Sequence, residues 1–458
     1  MSSSTSRVCI HGLGYIGLPT AAMLANVGYE VVGFDTDEAV LDRIERRDLQ
    51  FDEPDLRELV SDALAGDDLV LADEPVPADY HLVCVPTPLD ESNKEANLSA
   101  VEAASGAVAD QLAPGDTVVV ESTVPPGTTA ETVRPLLEET GLDASEDFLL
   151  AYSPETVLPG NVVTELRQND RIVGGIGEEA TRSAAEFYDS FVEGTIYRTD
   201  ATTAEFAKLS QNTYRDVNIA LANEIAKLAD EHGVDSREAI RLGNTHPRVD
   251  LHRPGPGVGG HCVPVDPWFL GTDSDETDLI ETAREVNDEM VEYVTELLGA
   301  HLGDLSDRRI AVLGVAYKGN VADVRQSPTL RLADELESAG ADARFHDSHV
   351  RAETVSDGGP SGPGGQIAER ESPGDAESSG DETAPSTTEN EKLPVELESL
   401  ADATDDADAL VVMTDHDEYE GLNPDRLADR MATPVIVDAK SVIDREEWTE
   451  NEFDVSQI

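Results

Sequence analysis

The chain has 458 residues, 95 acidic against 32 basic, and a formal charge of -63, a surface that repels polyanions and excludes nucleic acid as a partner. No apolar run approaches the roughly 20 residues that span a bilayer and MSSSTSR at the start lacks the apolar core of a secretory signal, so no membrane contact is expected. Three cysteines of uneven spacing form neither a disulfide framework nor a paired metal-ligand pattern, which fits a reducing, cytoplasmic setting without a metal; acid spread through amphipathic segments fits a halophilic protein.

From Arg7 the chain reads RVCIHGLGYIGLPTAAMLANVGYEVVGFD. A short strand, Val8 to Ile10, runs into the turn Gly12, Gly14, Tyr15, Ile16, Gly17, followed by a helix of small apolar residues and a strand from Glu30 to Phe34 that ends at Asp35. Strand, G-x-G-x-x-G turn, helix, strand and acid together predict a dinucleotide site. The pyrophosphate sits on the helix N-terminus, and Asp35 accepts from the adenosine ribose and repels a 2'-phosphate, so NAD is favoured over NADP. Further strands, Tyr80 to Val85, Thr117 to Glu121 and Phe148 to Tyr152, follow in α/β rhythm. Thr87, Thr123 and Glu155 stand beyond their carboxyl ends, where open α/β sheets bind ligands.

The stretch Thr202 to His232 predicts one long helix ended by Gly233. Lys208, Asn212 and Arg215 share a face, and Phe206, Leu209, Ile219 and Leu228 are expected to pack. An extended stretch, NTHPRVD from Asn244 to Asp250, then carries His246 and Arg248, the arginine suited by its planar fork to diphosphate. The loop PGPGVGGHCVPVDPW from Pro254 to Trp268 is too rich in Gly and Pro to continue a helix or central strand. It presents one thiol, Cys262, with His261 before it and Asp266 after it, a candidate nucleophile.

At Arg309 a second α/β unit begins: RIAVLGVAYKG, then ARFHD, ALVVMTD and PVIVDAK. Gly314 opens its first turn without the full glycine fingerprint, and Tyr317, Lys318, Arg325 and Lys440 stand at loop positions beside strands, which predicts a different nucleotide. Between about residues 351 and 393, a Gly, Ser, Pro, Glu and Asp tract has too few apolar residues to offset its ordering entropy and is expected to be a disordered insertion.

Together these segments resemble the nucleotide-sugar 6-dehydrogenases, the family of UDP-glucose and GDP-mannose dehydrogenases, over nearly the whole chain apart from its first few residues and the acidic tract. YSPETVLPGNVVTELRQNDRIVGG, AEFAKLSQNTYRDVNIALANE and NTHPRVDLHRPGPGVGGHCVPVDPWF are most similar to the branch that acts on UDP-N-acetyl-D-mannosamine. Where that branch has Arg in a P-E-R-V-L-P-G run, this chain has Thr156. The fold implied is α/β, two Rossmann-like doubly wound domains joined by a long central helix. Residues 1–199 form the NAD-binding domain, residues 200–305 a central helical dimerisation region with the Cys loop, and residues 306–458 the domain for the UDP-sugar.

The reaction implied is a four-electron oxidation of the sugar C6 alcohol to a carboxylate with two NAD in succession, through a thiohemiacetal and a thioester on Cys262. Lys208 and Asn212 then serve proton transfer or oxyanion stabilisation, and Asp266, Glu155 and Thr123 place or activate water. Cofactor contacts map to Gly12, Gly14, Tyr15, Ile16, Gly17, Asp35, Thr87, Thr123 and, across from the second half, Arg325. Substrate contacts map to Thr156, Val157, Lys208, Asn212, Arg215, His246, Arg248, Gly259, Tyr317, Lys318 and Lys440. A homodimer or larger homo-oligomer is implied through the middle helix. Three alternatives stay open: the same reaction on UDP-N-acetylglucosamine or UDP-glucose, an ordinary two-electron NAD dehydrogenase with a structural Cys262, and a non-enzymatic nucleotide-sugar sensor.

Overall fold

The computed structural model describes residues 6–49, 51, 53–144, 146–157, 160–351 and 393–458; apart from its two end residues, the acidic tract expected near 351–393 lies outside them. The first sheet contains β1 (Arg7–His11), β2 (Glu30–Phe34), β3 (Leu69–Ala72), β4 (Tyr80–Val83), β5 (Thr117–Val120), β6 (Leu149–Tyr152), β7 (Arg171–Gly175) and β8 (Ile196–Asp200). Its order is β8-β7-β6-β5-β4-β1-β2-β3. The run from β3 to β6 is parallel, and β7 joins β6 antiparallel. Reading 3-2-1-4-5-6, the order reverses between β1 and β4, the place where a doubly wound sheet opens a crevice at its carboxyl edge.

Local sequence explains the tightness of that edge. Helix α1 (Gly17–Asn26) buries every residue from Gly17 to Ala25. A Cβ on Gly17 would stand 1.9 Å from the Gly12 carbonyl oxygen, and one on Gly12, at φ +94°, would stand 2.9 Å from the Cys84 carbonyl oxygen. Only glycine lets helix and strand approach this closely.

Helix α2 (Ala201–Glu231) begins at Asp200, whose side chain accepts from the Thr203 amide, and ends before Gly233 at φ +65°. At 1.5 Å per residue it is about 46 Å long, enough to bridge the two sheets. Its buried face carries Ala204, Glu205, Lys208, Leu209, Asn212, Asp216, Ala220 and Asn223, a helical repeat with unusual polarity. Phe206 and Leu228, expected to pack, are instead 53% and 48% exposed. With Tyr214 at 53% and Leu221 at 45% they line an outer face, because alanines and polar groups occupy the inner one.

Several of the inner polar groups join in a buried network. Arg284, on helix α3 (Asp278–Asp288), donates to Asp216 at 2.6 Å; Asn287 donates to Asp216 at 2.9 Å; Asn223 donates to Asn287 at 2.9 Å and accepts from the Gly255 amide at 2.8 Å. The chain of contacts pins the start of the Gly-Pro loop to the central helix.

The second sheet contains β9 (Arg309–Leu313), β10 (Asp342–His346), β11 (Ala409–Val412), β12 (Val435–Asp438) and β13 (Asp454–Gln457). Its order is β10-β9-β11-β12-β13, all parallel, so its reversal falls between β9 and β11. Both sheets are thus doubly wound, as the sequence predicts.

Candidate active site

At the first reversal, the outer glycines of the turn are fixed by packing and the middle one is free: a Cβ on Gly14 would meet nothing within 4 Å. That open backbone ahead of α1, where Ile16 occupies the N-cap position, leaves room for a pyrophosphate. Asp35, beyond β2, accepts from the Leu13 amide at 2.8 Å and the Asp37 amide at 3.0 Å, which holds it beside the turn. Thr87 donates to the Thr123 carbonyl at 2.7 Å, joining the loops after β4 and β5. The Tyr15 phenol makes a short hydrogen bond to Glu53.

The reactive groups gather where α2 passes the Gly-Pro loop. Lys208 and Asn212, one turn apart, are both buried, and Asn212 donates to Asp266 at 2.6 Å. Asp266 opens a short helix directly after the loop, its amide donating to the Cys262 carbonyl at 2.9 Å. Burial raises the Asp266 carboxyl, opposed by Lys208 and the Asn212 hydrogen bond. Burial likewise raises Glu155, opposed by Lys208 and Arg171. Each carboxyl is thereby shifted toward the range of a general base.

Cys262 is reachable by solvent, yet walls of protein surround the sulfur within its cleft. That enclosure, then the charge of Asp266, pushes its thiol up to about 11 against the pull of Lys208, while Glu155 raises it further and Arg325 lowers it. The resting sulfur is therefore a thiol beside a fixed positive charge. Burial and the Arg325 charge lower the His261 imidazole.

The second unit closes over this loop. A Cβ on Gly259 would lie 2.7 Å from both the Gln326 carbonyl oxygen and Tyr317 Cβ, and one on Gly260, at φ +86°, 2.9 Å from the Tyr317 ring. Gly260 donates to the Arg325 carbonyl at 2.9 Å, and the Arg325 guanidinium forms an ion pair with Asp323 at 2.6 Å. Burial and the charge of Asp323 push the Tyr317 phenol up to about 12. Lys440, beyond β12, pairs with Asp415 at 3.5 Å and lies against Gly255.

The sequence-predicted residues thus divide. Glu155, Lys208, Asn212, Cys262, Asp266, Tyr317 and Arg325 interact as one cluster. Arg215 is exposed but close enough to Tyr317 to act on its phenol. Lys318, His246 and Arg248 are exposed, and Arg248 donates its amide to His246 within a turn. That turn corrects the expected extended stretch at 244–250: Asn244 exchanges two hydrogen bonds with the Leu251 backbone and pinches the segment closed. Thr156 accepts from Asn169 at 3.4 Å, and the Val157 amide donates to Glu155.

Of the buried carboxylates that the sequence reading did not reach, three border this site. Glu205, one turn before Lys208, accepts from the Gly127 and Thr129 amides at 2.5 and 2.8 Å and ties the loop after Thr123 to the central helix. Glu121 pairs with Arg171 at 3.2 Å and accepts from Tyr188 at 2.5 Å beneath the crevice. Glu53 receives Tyr15. A charged residue on the buried face of α2 is the signal that could have identified Glu205; neither of the others has one.

Comparison with known proteins adds independent findings. Residues 6–192, 202–289 and 311–445 match the NAD binding, central and UDP binding domains of the UDP-glucose/GDP-mannose dehydrogenase family. A UDP-N-acetyl-D-mannosamine dehydrogenase of Methanocaldococcus jannaschii is 38% identical over 98% of this chain and 95% of its own. An NDP-N-acetyl-D-galactosaminuronic acid dehydrogenase of Ralstonia solanacearum is 36% identical over 95% of this chain and 96% of its own. The solved structure of the UDP-D-ManNAc dehydrogenase from Pyrococcus horikoshii superposes with a TM-score of 0.84, at 37% identity and 99% coverage of both chains.

Proposed function

The chain belongs to the UDP-glucose/GDP-mannose dehydrogenase family, with NAD as cofactor, and from that premise we propose that it oxidises the C6 alcohol of UDP-N-acetyl-D-mannosamine to the carboxylate. The observation that carries the reading is the convergence of Cys262, Lys208, Asn212, Asp266 and Glu155 with the second unit's Tyr317 and Arg325. Residues 1–199 hold the cofactor, residues 200–305 supply the helix and thiol, and residues 306–458 hold the nucleotide. Thr87, Thr123 and Asp35 border the dinucleotide crevice, while Lys318, Lys440, Gly259, His246, Arg248, Arg215, Thr156 and Val157 serve the sugar nucleotide.

Bound NAD supplies the hydride acceptor, once for the alcohol and once for the captured aldehyde. Asp266 or Glu155 takes the C6 hydroxyl proton through water, and the Lys208 ammonium stabilises the alkoxide from which the first hydride leaves. Cys262 sulfur then bonds to the aldehyde carbon while the carbonyl oxygen takes a proton, giving a thiohemiacetal. Loss of that hydroxyl proton and a second hydride yields a thioester. Glu155 or Asp266, with carboxyls raised by burial, deprotonates the water that attacks it; the carboxylate leaves and the sulfur regains its proton. Covalent capture retains the aldehyde between the two oxidations.

The outer face of α2, with Tyr214, Leu221 and Leu228 at seven-residue intervals, supports a homodimer through this helix. The acidic surface supports work in a salt-rich cytoplasm. Incubating purified protein with NAD and, side by side at high salt, UDP-N-acetylmannosamine, UDP-N-acetylglucosamine or UDP-glucose tests the reading. Two NADH per acid, fastest with the first sugar, is the expected result; preference for UDP-glucose refutes the substrate, and one NADH per sugar refutes the four-electron course.

A further inference from the structure

We propose that Glu53 is a positioning residue that fastens the phenol of Tyr15, inside the glycine turn, to the backbone at Gly160 and Val162. It thereby holds the segment bearing Thr156 and Val157 in the geometry that receives the sugar nucleotide, and in this it rests on the function proposed above.

Glu53 is 8% exposed and uses both carboxylate oxygens. Oε1 accepts from the Tyr15 hydroxyl and, at 2.8 Å, from the Gly160 amide; Oε2 accepts at 3.2 Å from the Val162 amide. The helix Val162–Gln168 has no side-chain cap from its own N-cap residue, Asn161, so Glu53 supplies an acceptor to an amide left over at its start. Phe51 packs edge-on against the Tyr15 ring at 5.1 Å and fixes it from the other side. Burial and then the Glu53 hydrogen bond raise the Tyr15 phenol far above its ordinary value, so it stays protonated and donates.

The location gives the contact its consequence. Tyr15 is close enough to Tyr317 and Glu155 for each to act on its phenol, so the fastening stands where the cofactor turn, the second unit and the sugar-side segment meet. Thr156 and Val157 bond locally, to Asn169 and Glu155, and Val157 packs against the core of the first unit. Glu53 adds a tie across 107 positions of sequence. The glycine turn does not depend on it, since the Gly12 amide is held by the Phe34 carbonyl at 2.8 Å. Loss of Glu53 should therefore loosen the sugar side far more than the cofactor side.

Glu53→Gln keeps the volume but sets an amide NH2 against one of three donors, and Tyr15→Phe removes one donor. In each variant the KM for UDP-N-acetyl-D-mannosamine rises about tenfold, and in Glu53→Gln kcat and the calorimetric Kd for NADH stay within about threefold of wild type. The double variant is no worse than about twofold beyond either single one, because both loosen the same fastening of three donors on one side chain. Calorimetric binding of the UDP-sugar without NAD weakens by the same factor. Unchanged sugar affinity, equal weakening of NADH and sugar as for general loosening, or fully additive effects overturns the assignment. A wild-type protein that binds a UDP-sugar without producing NADH overturns the activity instead and leaves the binding test of Glu53 standing.

Discussion

Asp266→Asn offers the sharpest handle on the thiol. After enclosure in the cleft, the Asp266 charge is the largest cause holding Cys262 near 11. At pH 8 about one sulfur in a thousand is then thiolate, against roughly one in four for a free cysteine. Removing a like charge in such a cleft is worth about one pKa unit, so alkylation by iodoacetamide at pH 8 should accelerate about tenfold. The Asn212 contact at 2.6 Å survives, since asparagine still offers an acceptor, and the variant should fold. Peptide mass spectrometry confines the reading to Cys262, because Cys9 is buried and burial and Glu121 raise the Cys84 thiol well above its usual value. Turnover should fall at the same time, because a base beside the thioester is lost. Alkylation unchanged or slowed in Asp266→Asn would refute the electrostatic account of the thiol.

Other expectations follow from separate contacts. Gly17→Ala should lose about 3 kcal/mol or more in urea unfolding, since its Cβ would overlap the Gly12 carbonyl, whereas Gly14→Ala should leave stability within about 0.5 kcal/mol and weaken NADH binding at least tenfold by calorimetry. His11 and His81 face each other at 3.3 Å in the core, and burial lowers them to about 3 and about 4. Unfolding lets both take protons below their ordinary 6.5, so stability is present above that pH and is lost on descent toward 4, by up to about 2 kcal/mol per ring at pH 5. Melting curves for His81→Phe should show a shallower loss across that window than wild type. Leu221→Arg, on the outer face of α2, should convert a dimer to monomer in sedimentation at high salt without lowering helix content by circular dichroism.

What could be read from the sequence was whatever short-range chemistry dictates. The glycine turn, Asp35 and the Gly-Pro loop announce themselves because backbone approach and pyrophosphate binding demand those residue types at fixed spacing. Lys208 and Asn212 were legible as one face of a helix. Phe206 and Leu228 misled because apolar character alone does not tell an intrachain face from an outer one. The fold of residues 244–250 was hidden because the Asn244 carboxamide closes it through backbone bonds to Leu251. Glu53 and Glu121 find their partners across 38 to 109 positions of sequence, and no local pattern encodes such pairs.

The thioester proposed on Cys262 is the step on which the proposed chemistry turns. Purified protein mixed with UDP-N-acetyl-D-mannosamine and NAD, acid-quenched in milliseconds and digested, should yield a Cys262 peptide heavier by the sugar-nucleotide acyl group. That adduct should be absent from Cys262→Ala, whose steady-state production of acid should fall at least a thousandfold. Undiminished formation of two NADH per sugar by Cys262→Ala would contradict the account.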